Sequence, residues 1–307
     1  MKNKSKKSNL DKINYIRNLV SCICASLIII FTICGVVYGL LEKPNEITPE
    51  RGVFIFHLFT VNSNLLSLVA SILIVSFTIQ GVLKKRYEVP NRAFQVLYCA
   101  TICVFLTFVF SLCLIFPRNG ISALIGMNLF LHLLCPVLCV LLFYFVSCDK
   151  KINLLNSFLV LIPFALYALA YAIMVLIVKE ENGGWRDIYQ LFKYMPRYVT
   201  LILIVPVVFG ISTLFRFTHN KVVYHRDLAI KSWIISEYKD LDRESLLVNI
   251  YNLGFDSLKE KNNKSIVIPL KDLYLISSNN QNASLYEIVN KFNEGYLDHM
   301  KQLNEKE

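Results

Sequence analysis

Six blocks of apolar residues, each long enough to cross a bilayer as a helix, constrain this chain more than any other feature. They fall at about 16–41, 54–83, 95–116, 125–147, 157–178 and 198–217. A membrane-crossing helix needs roughly 20 apolar residues. The first block is too long for the core of a signal peptide, and no small-residue cleavage site follows it, so it counts as a span. Hydrophobic residues make up 55% of the 307-residue chain and charged ones only 18%, a balance that a soluble domain does not reach. The expected fold is an all-α membrane bundle of six transmembrane helices.

Charge sets the expected orientation. Lys2, Lys4, Lys6, Lys7, Lys12 and Arg17 precede or open the first span, and Lys84, Lys85, Arg86 and Arg92 lie between the second and third. Lys150 and Lys151 follow the fourth, and Arg216, Lys221 and Arg226 lie at and after the sixth. Basic segments beside apolar spans face the cytoplasm. The expectation is a multi-pass protein of the cell membrane with a basic cytoplasmic N-terminus (1–15), a transmembrane domain (16–217) and a cytoplasmic tail (218–307). Outer loops then fall at 42–53, 117–124 and 179–197. The basic excess, being confined to the flanks of spans, points to membrane lipid as partner and not to nucleic acid.

The tail is expected to be a small α+β or helical docking domain for a cytoplasmic protein partner, or else to carry a membrane-surface helix. Its segments 226–239 and 242–260 read as helices. Residues 266–276 read as a strand interrupted by Pro269. Leu285, Ile288, Val289, Phe292, Tyr296, Met300 and Leu303 recur at helical spacing.

The six blocks contain no Asp, Glu or Lys, and Arg17 and Arg216 stand only at their rims. Ion-coupled transporters, proton pumps and voltage sensors depend on intramembrane ionisable groups. No P-loop, GxSxG elbow or His/Glu zinc motif is present. No metal or cofactor is expected. The nine cysteines lie in or beside apolar blocks, so they indicate no disulfide framework and read as small buried hydrophobes.

The polar residues inside the blocks carry the chemistry. His57, Thr60, Asn64, Ser67 and Ser71 follow one another at steps of 3, 4, 3 and 4, which places them on one helical stripe. The stripe is expected to face away from lipid, because an unpaired polar group in hydrocarbon is costly. It reads either as a seam that fastens helices together or as the lining of a site. Asn128 and His132 lie one turn apart in the fourth block, with Pro136 one turn beyond. At a rise of 1.5 Å per residue, Thr60 is expected about 9 Å below Phe54 and His132 about 10 Å below Ile125. A hydroxyl beside an imidazole is the minimal nucleophile–base pair. Asn62, Asn64 and Asn128 are the candidate oxyanion donors.

Phe-Thr-Val-Asn-Ser-Asn (Phe59–Asn64) resembles the Phe-Thr-x-x-Ser/Thr-Asn motif of a bacterial family of six-span membrane proteins, and Leu-His-Leu-Leu-Cys-Pro (Leu131–Pro136) resembles its His-x-x-x-Pro signature. Pro163, Tyr167 and the loop with Trp185, Asp187 and Tyr189 are looser matches. A more distant resemblance is to the androgen-induced membrane hydrolases, which cleave fatty acyl esters with an intramembrane Thr and His. That resemblance implies Thr60 as nucleophile and His132 as base. From the polar residues themselves, His57, Asn62, Asn64, Ser67 and Asn128 are the candidate pocket residues, His57 having no match in the family pattern, and Trp185, Arg186, Asp187 and Tyr189 are the candidate lid. The His-to-Pro spacing is one residue shorter here, and Trp185-Arg186-Asp187-Ile188-Tyr189 replaces a Tyr-Pro-Phe-like motif. The alternative expectation is a non-enzymatic sensor, or a lipid or small-molecule binder, that signals to the tail.

Overall fold

The computed structural model describes residues 2–42, 52–83, 89–146, 148, 150–187, 197–259, 270–280 and 282–304. Among the described residues every regular element is helical. Helix α1 runs Lys2–Leu41, α2 Phe59–Leu83, α3 Asn91–Phe110 and α4 Cys135–Phe145. Next come a short helix, Leu154–Leu159, and then α5, Leu161–Ala172. The long α6 runs Arg197–Tyr238, and α7 (Arg243–Lys259), α8 (Leu270–Asn279) and α9 (Leu285–Asn304) follow.

Tyr15–Leu41, Phe59–Gln80, Asn91–Cys113 and Leu154–Val178 are long and apolar enough to cross a membrane, and Leu129–Phe145 is a shorter apolar helix. Their outer surfaces fit a lipid solvent. On α5 and the π-helical turn Ile173–Val178 that continues it, Ile162, Leu166, Leu169, Ile173 and Ile177 form an exposed apolar stripe at helical spacing, a surface that water would not tolerate over this length.

Contacts divide the chain into two compact units, Lys7–Asn220 and a second made of Met1–Lys6 with Lys221–Glu307. In the first, the core runs between the helices through Ile28, Ile74, Phe94, Leu97, Tyr98, Leu106, Leu142 and Phe143. Helices α3 and α4 are antiparallel. Phe94 and Tyr98, early in α3, stack on Phe143, late in α4, at centroid distances of 5.4 and 5.7 Å.

One end of this unit, here called proximal, is closed by hydrogen bonds. Arg17 donates to the Val146 carbonyl at 3.0 Å, and the Asn220 carboxamide exchanges bonds with the Ile152 backbone at 2.8 and 2.9 Å. Slightly deeper, the Tyr98 hydroxyl meets Ser212 Oγ at 2.6 Å and the Ser212 carbonyl at 2.7 Å, with Ser157 Oγ at 3.3 Å. Tyr144 and Thr218 hydroxyls meet at 2.6 Å.

The opposite, distal end begins where α1 packs on the fourth apolar segment. Gly35 lets Leu131 approach: a Cβ there would stand 2.6 Å from Leu131 Cδ2. Gly39, one turn on, does the same for the Met127 side chain. Small residues spaced by four let membrane helices approach closely.

Two expectations need correction here. The second apolar block is not one α-helix: Gly52–His57 is a 3-10 helix, Leu58 a bend, and α2 starts at Phe59. Thr60 therefore sits in the first turn of α2, and the descent by α-helical rise from Phe54 does not hold. Residues 270–276 are not a strand. They lie in α8, whose Leu273 and Ile276 pack against Leu246 and Ile250 of α7 and Ile288 of α9; the docking of an apolar helical face overrides β-propensity. Residues 266–269, 43–51, 84–88 and 188–196 lie outside the described residues.

Several polar groups of the tail unit are paired within it, while His299 Nδ1 is buried without a partner. Asn280 Nδ2 donates to the carbonyls of Tyr238 and Leu241 at 2.6 and 2.9 Å. Ser284 and Glu287 form a capping box at the start of α9: the Glu287 carboxylate accepts from Ser284 N at 2.9 Å, and Glu287 N donates to Ser284 Oγ at 3.3 Å. Arg243 pairs with Glu287 at 2.5 Å. That guanidinium, with the Ser284 backbone N–H, holds the Glu287 carboxyl down at about 2. α7 and α9 cross at glycines. A Cβ on Gly254 would strike the Phe292 carbonyl oxygen, and one on Gly295 would strike that of Tyr251.

Candidate functional site

The polar stripe of α2 is turned inward. Thr60 is 5% exposed, and Asn64, Ser67 and Ser71 are fully buried, while Asn62, Val69 and Ile72 of the opposite face are exposed. The spacing of the stripe follows from 3.6 residues per turn: steps of three and four keep one face in register. Two of the expected pocket residues do not belong to it. His57 stands in the 3-10 helix, half-buried. Asn62 points outward, and its Nδ2 donates to the carbonyls of Phe56 and Leu58 at 2.7 and 3.0 Å. It fastens the junction between the 3-10 helix and α2.

Asn64 joins α2 to the fourth apolar segment. Its Nδ2 donates to the Thr60 carbonyl at 2.7 Å and to the Leu131 carbonyl at 3.0 Å. Both N–H bonds are thereby occupied, which removes Asn64 as an oxyanion donor. Ser67 Oγ donates to the Asn64 carbonyl at 2.8 Å and lies beside Cys139. Packing around this junction comes from Ile55, Leu58, Val61, Met127 and Leu131.

His132 follows Leu131 in a π-helical turn, Leu129–Leu134, that leads into α4. π-turns lack the regular i→i−4 ladder and often mark functional positions. Pro136, in the first turn of α4, has no N–H to give to residue 132. The imidazole is 8% exposed and lies within hydrogen-bonding reach of the Thr107 backbone carbonyl of α3. Its Nδ1 is buried with no hydrogen-bond partner. Asn128, one turn back, is 5% exposed, and its Oδ1 is likewise unpartnered. So are Asn64 Oδ1 and Ser111 Oγ. Buried polar atoms are nearly always paired; in this unit Ser21, Ser71, Thr78, Thr213 and Arg216 also leave an atom without a partner, but only the distal group brings together carboxamides and an imidazole. Among the described residues no direct hydrogen bond joins Thr60 to His132. The connection between their segments is Asn64.

Above this junction lies a cluster of aromatic rings. His57 and Trp185 stack at 4.6 Å and 18°. The Tyr167 hydroxyl donates to the His57 carbonyl at 2.8 Å, and the Tyr171 hydroxyl donates to Asp187 Oδ1 at 2.8 Å. Both tyrosines project from α5, so this loop is pinned to α5 and to the approach to α2. A left-handed backbone at Lys179 (φ 61°) and Gly183 (φ 84°) turns the chain back, and Trp185 N donates to the Met174 carbonyl at 3.2 Å. Of the expected lid residues, Trp185 and Asp187 make these contacts, Arg186 is exposed, and Tyr189 lies outside the described residues. Sequence reading missed Ser111, a lone hydroxyl in an apolar run with no motif to mark it.

No family model matches the chain, and no curated protein or solved structure matches it.

Proposed function

We propose that the chain is a six-span protein of the cell membrane, with both termini cytoplasmic, that hydrolyses fatty acyl esters in the outer half of the bilayer. Thr60 is the nucleophile and His132 the base. The observation that carries this reading is the buried, unpartnered Nδ1 of His132, on a π-turn that Asn64 fastens to the first turn of α2, where Thr60 sits. A base needs a nitrogen free to take a proton.

In the reaction, Thr60 Oγ1 attacks the acyl carbonyl while its proton passes to His132. The imidazolium then gives that proton to the departing alcohol. Water, deprotonated by the same imidazole, attacks the acyl–threonine ester, releasing the fatty acid and restoring the Thr60 hydroxyl. With both N–H bonds of Asn64 occupied, oxyanion donors come from the Asn128 carboxamide and from the N–H groups of Phe59, Thr60 and Val61, which precede the first i→i−4 bond of α2, from Asn62 N to the Leu58 carbonyl. The aromatic cluster around Trp185 is the lid.

The test is hydrolysis of long-chain acyl esters by purified protein and by Thr60→Ala, His132→Ala and the double variant. Both single variants are expected to be inactive, and the double no worse than either, since the two act as a unit. Activity surviving in either single variant would end this reading. Orientation is checked separately by cysteine accessibility, which is expected to place residues 84–94 and the tail in the cytoplasm.

One observation favours a non-enzymatic reading, a lipid or small-molecule binder that signals to the tail. The unpartnered atoms Asn64 Oδ1, Asn128 Oδ1 and His132 Nδ1 suit a bound donor as well as a reacting ester. His132→Gln separates the two: a binding site keeps its ligand, whereas an esterase loses its base.

A further inference from the structure

An apolar groove of about 210 Å³ lies between α3 and α4, lined by Phe105, Phe108, Pro136, Val137, Val140 and Leu141. Its place relative to the polar atoms is set by the helices themselves. Pro136 is one turn below His132 on the same helical face, and Phe108 follows Thr107, whose carbonyl faces the His132 ring. The groove therefore begins one turn to the proximal side of His132. On the distal side, the antiparallel register that sets Thr107 against His132 brings Ser111 to the level of Asn128. Ser111 is 1% exposed and stands in a π-helical segment, Ser111–Ile115. Its hydroxyl and Asn128 Oδ1 are buried and without partners.

An apolar groove that ends one turn short of buried, unpartnered polar atoms matches an amphiphile whose head displaces the packing around them. We propose that this groove seats the acyl chain of a single neutral lipid, whose uncharged, hydroxyl-bearing head is held by Ser111, Asn128 and His132. The chemistry of the head follows from the atoms that would meet it. Asn128 Oδ1 only accepts, His132 Nδ1 accepts when Nε2 carries the proton, and the Ser111 hydroxyl does either. A ligand that completes them must donate. An anionic head would set its charge against acceptors, and the apolar blocks contain no Lys or interior Arg to offset it. This rests on reading the His132 pocket as a lipid site, but not on attack by Thr60.

The full chain in nanodiscs is exposed to a monoalkylglycerol ether that carries a diazirine near the end of its chain. The ether cannot be hydrolysed, so binding is read apart from catalysis. Crosslinks are expected in residues 105–108 and 136–141. Unlabelled monoalkylglycerol should compete, and a fatty acid anion of equal chain length should not. Val140→Trp, which fills the groove, is expected to cut labelling about tenfold or more. Ser111→Ala, which leaves the helices intact, is expected to raise the competing concentration about fivefold, the effect of one hydrogen bond. Labelling retained in Thr60→Ala supports the proposal whatever becomes of the hydrolase reading. Crosslinks spread over the lipid-facing stripe of α5 at Leu166 and Leu169 and unchanged by Val140→Trp would overturn it. So would equal competition by the anion.

Discussion

The two ends of the membrane unit differ in which polar groups find partners, although Ser21 Oγ, Thr213 Oγ1 and Arg216 Nε of the proximal half are also buried with none. At the proximal end, Tyr98, Ser157, Ser212, Tyr144, Thr218, Asn220 and Arg17 all find partners, with bonds as short as 2.6 Å. At the distal end, Asn64, Asn128, Ser111 and His132 each keep a buried atom with none. The backbone follows the same division. The third, fourth and fifth apolar segments each carry a π-helical stretch, Ser111–Ile115, Leu129–Leu134 and Ile173–Val178. All of them fall at the distal ends. In an apolar interior an unsatisfied polar atom costs about 1–3 kcal/mol. The proximal hydrogen-bond network is explained by stability alone; for the carboxamide and imidazole atoms left without partners at the distal end we propose a ligand.

The largest expected effect lies at the distal end. His132→Ala should lower ester hydrolysis by about 10²–10⁴-fold, the range for a lost general base, while the melting temperature in detergent barely moves. A loss of fold instead of activity would make His132 a structural residue and erase the contrast between the ends.

Tyr98→Phe probes the closed end. It leaves Ser157 and Ser212 short of a partner and should destabilise by about 1–3 kcal/mol without changing hydrolysis per folded molecule. Equilibrium unfolding in mixed micelles measures it. Ser111→Ala is its counterpart. Removing a hydroxyl that has no partner should leave stability within about 1 kcal/mol of the parent or raise it. If Ser111→Ala cost as much as Tyr98→Phe, the distal end would be as closed as the proximal one.

In the tail, acid should weaken the pairing at the start of α9. The Glu287 carboxyl is held at about 2 by Arg243 and Ser284, against 4.5 ordinarily. Because the folded value lies below the unfolded one, its contribution is complete above about pH 4.5 and fades as pH falls towards 2. Glu287→Gln should flatten this part of the pH dependence of tail melting followed by circular dichroism. The effect is small, since an exposed pair contributes little.

Which parts were legible in the sequence has a physical pattern. The inward stripe of α2 was readable because Thr60, Asn64, Ser67 and Ser71 obey a period that only a helix has. The break at Leu58 was not, since Phe54–Leu58 continues the same apolar composition and a 3-10 turn leaves no mark in it. His132 was visible as a lone imidazole in an apolar run, yet the π-turn that carries it was hidden, because the same letters fit an α-helix. Asn62 and Asn64 looked alike in the motif. Only their positions around the helix send one amide to the Phe56 and Leu58 carbonyls and the other across to Leu131. In the tail, the β-branched residues beside Pro269 suggested a strand, and the helix of Leu270–Asn279 is fixed by docking partners far along the chain.

The most direct measurement is labelling of the purified protein with a long-chain fluorophosphonate, followed by peptide mapping by mass spectrometry. Phosphonylation of Thr60 is expected, and it should vanish in His132→Ala while persisting in Tyr98→Phe. No labelling, or labelling at another residue that is indifferent to His132, would contradict a nucleophile and base at the distal end.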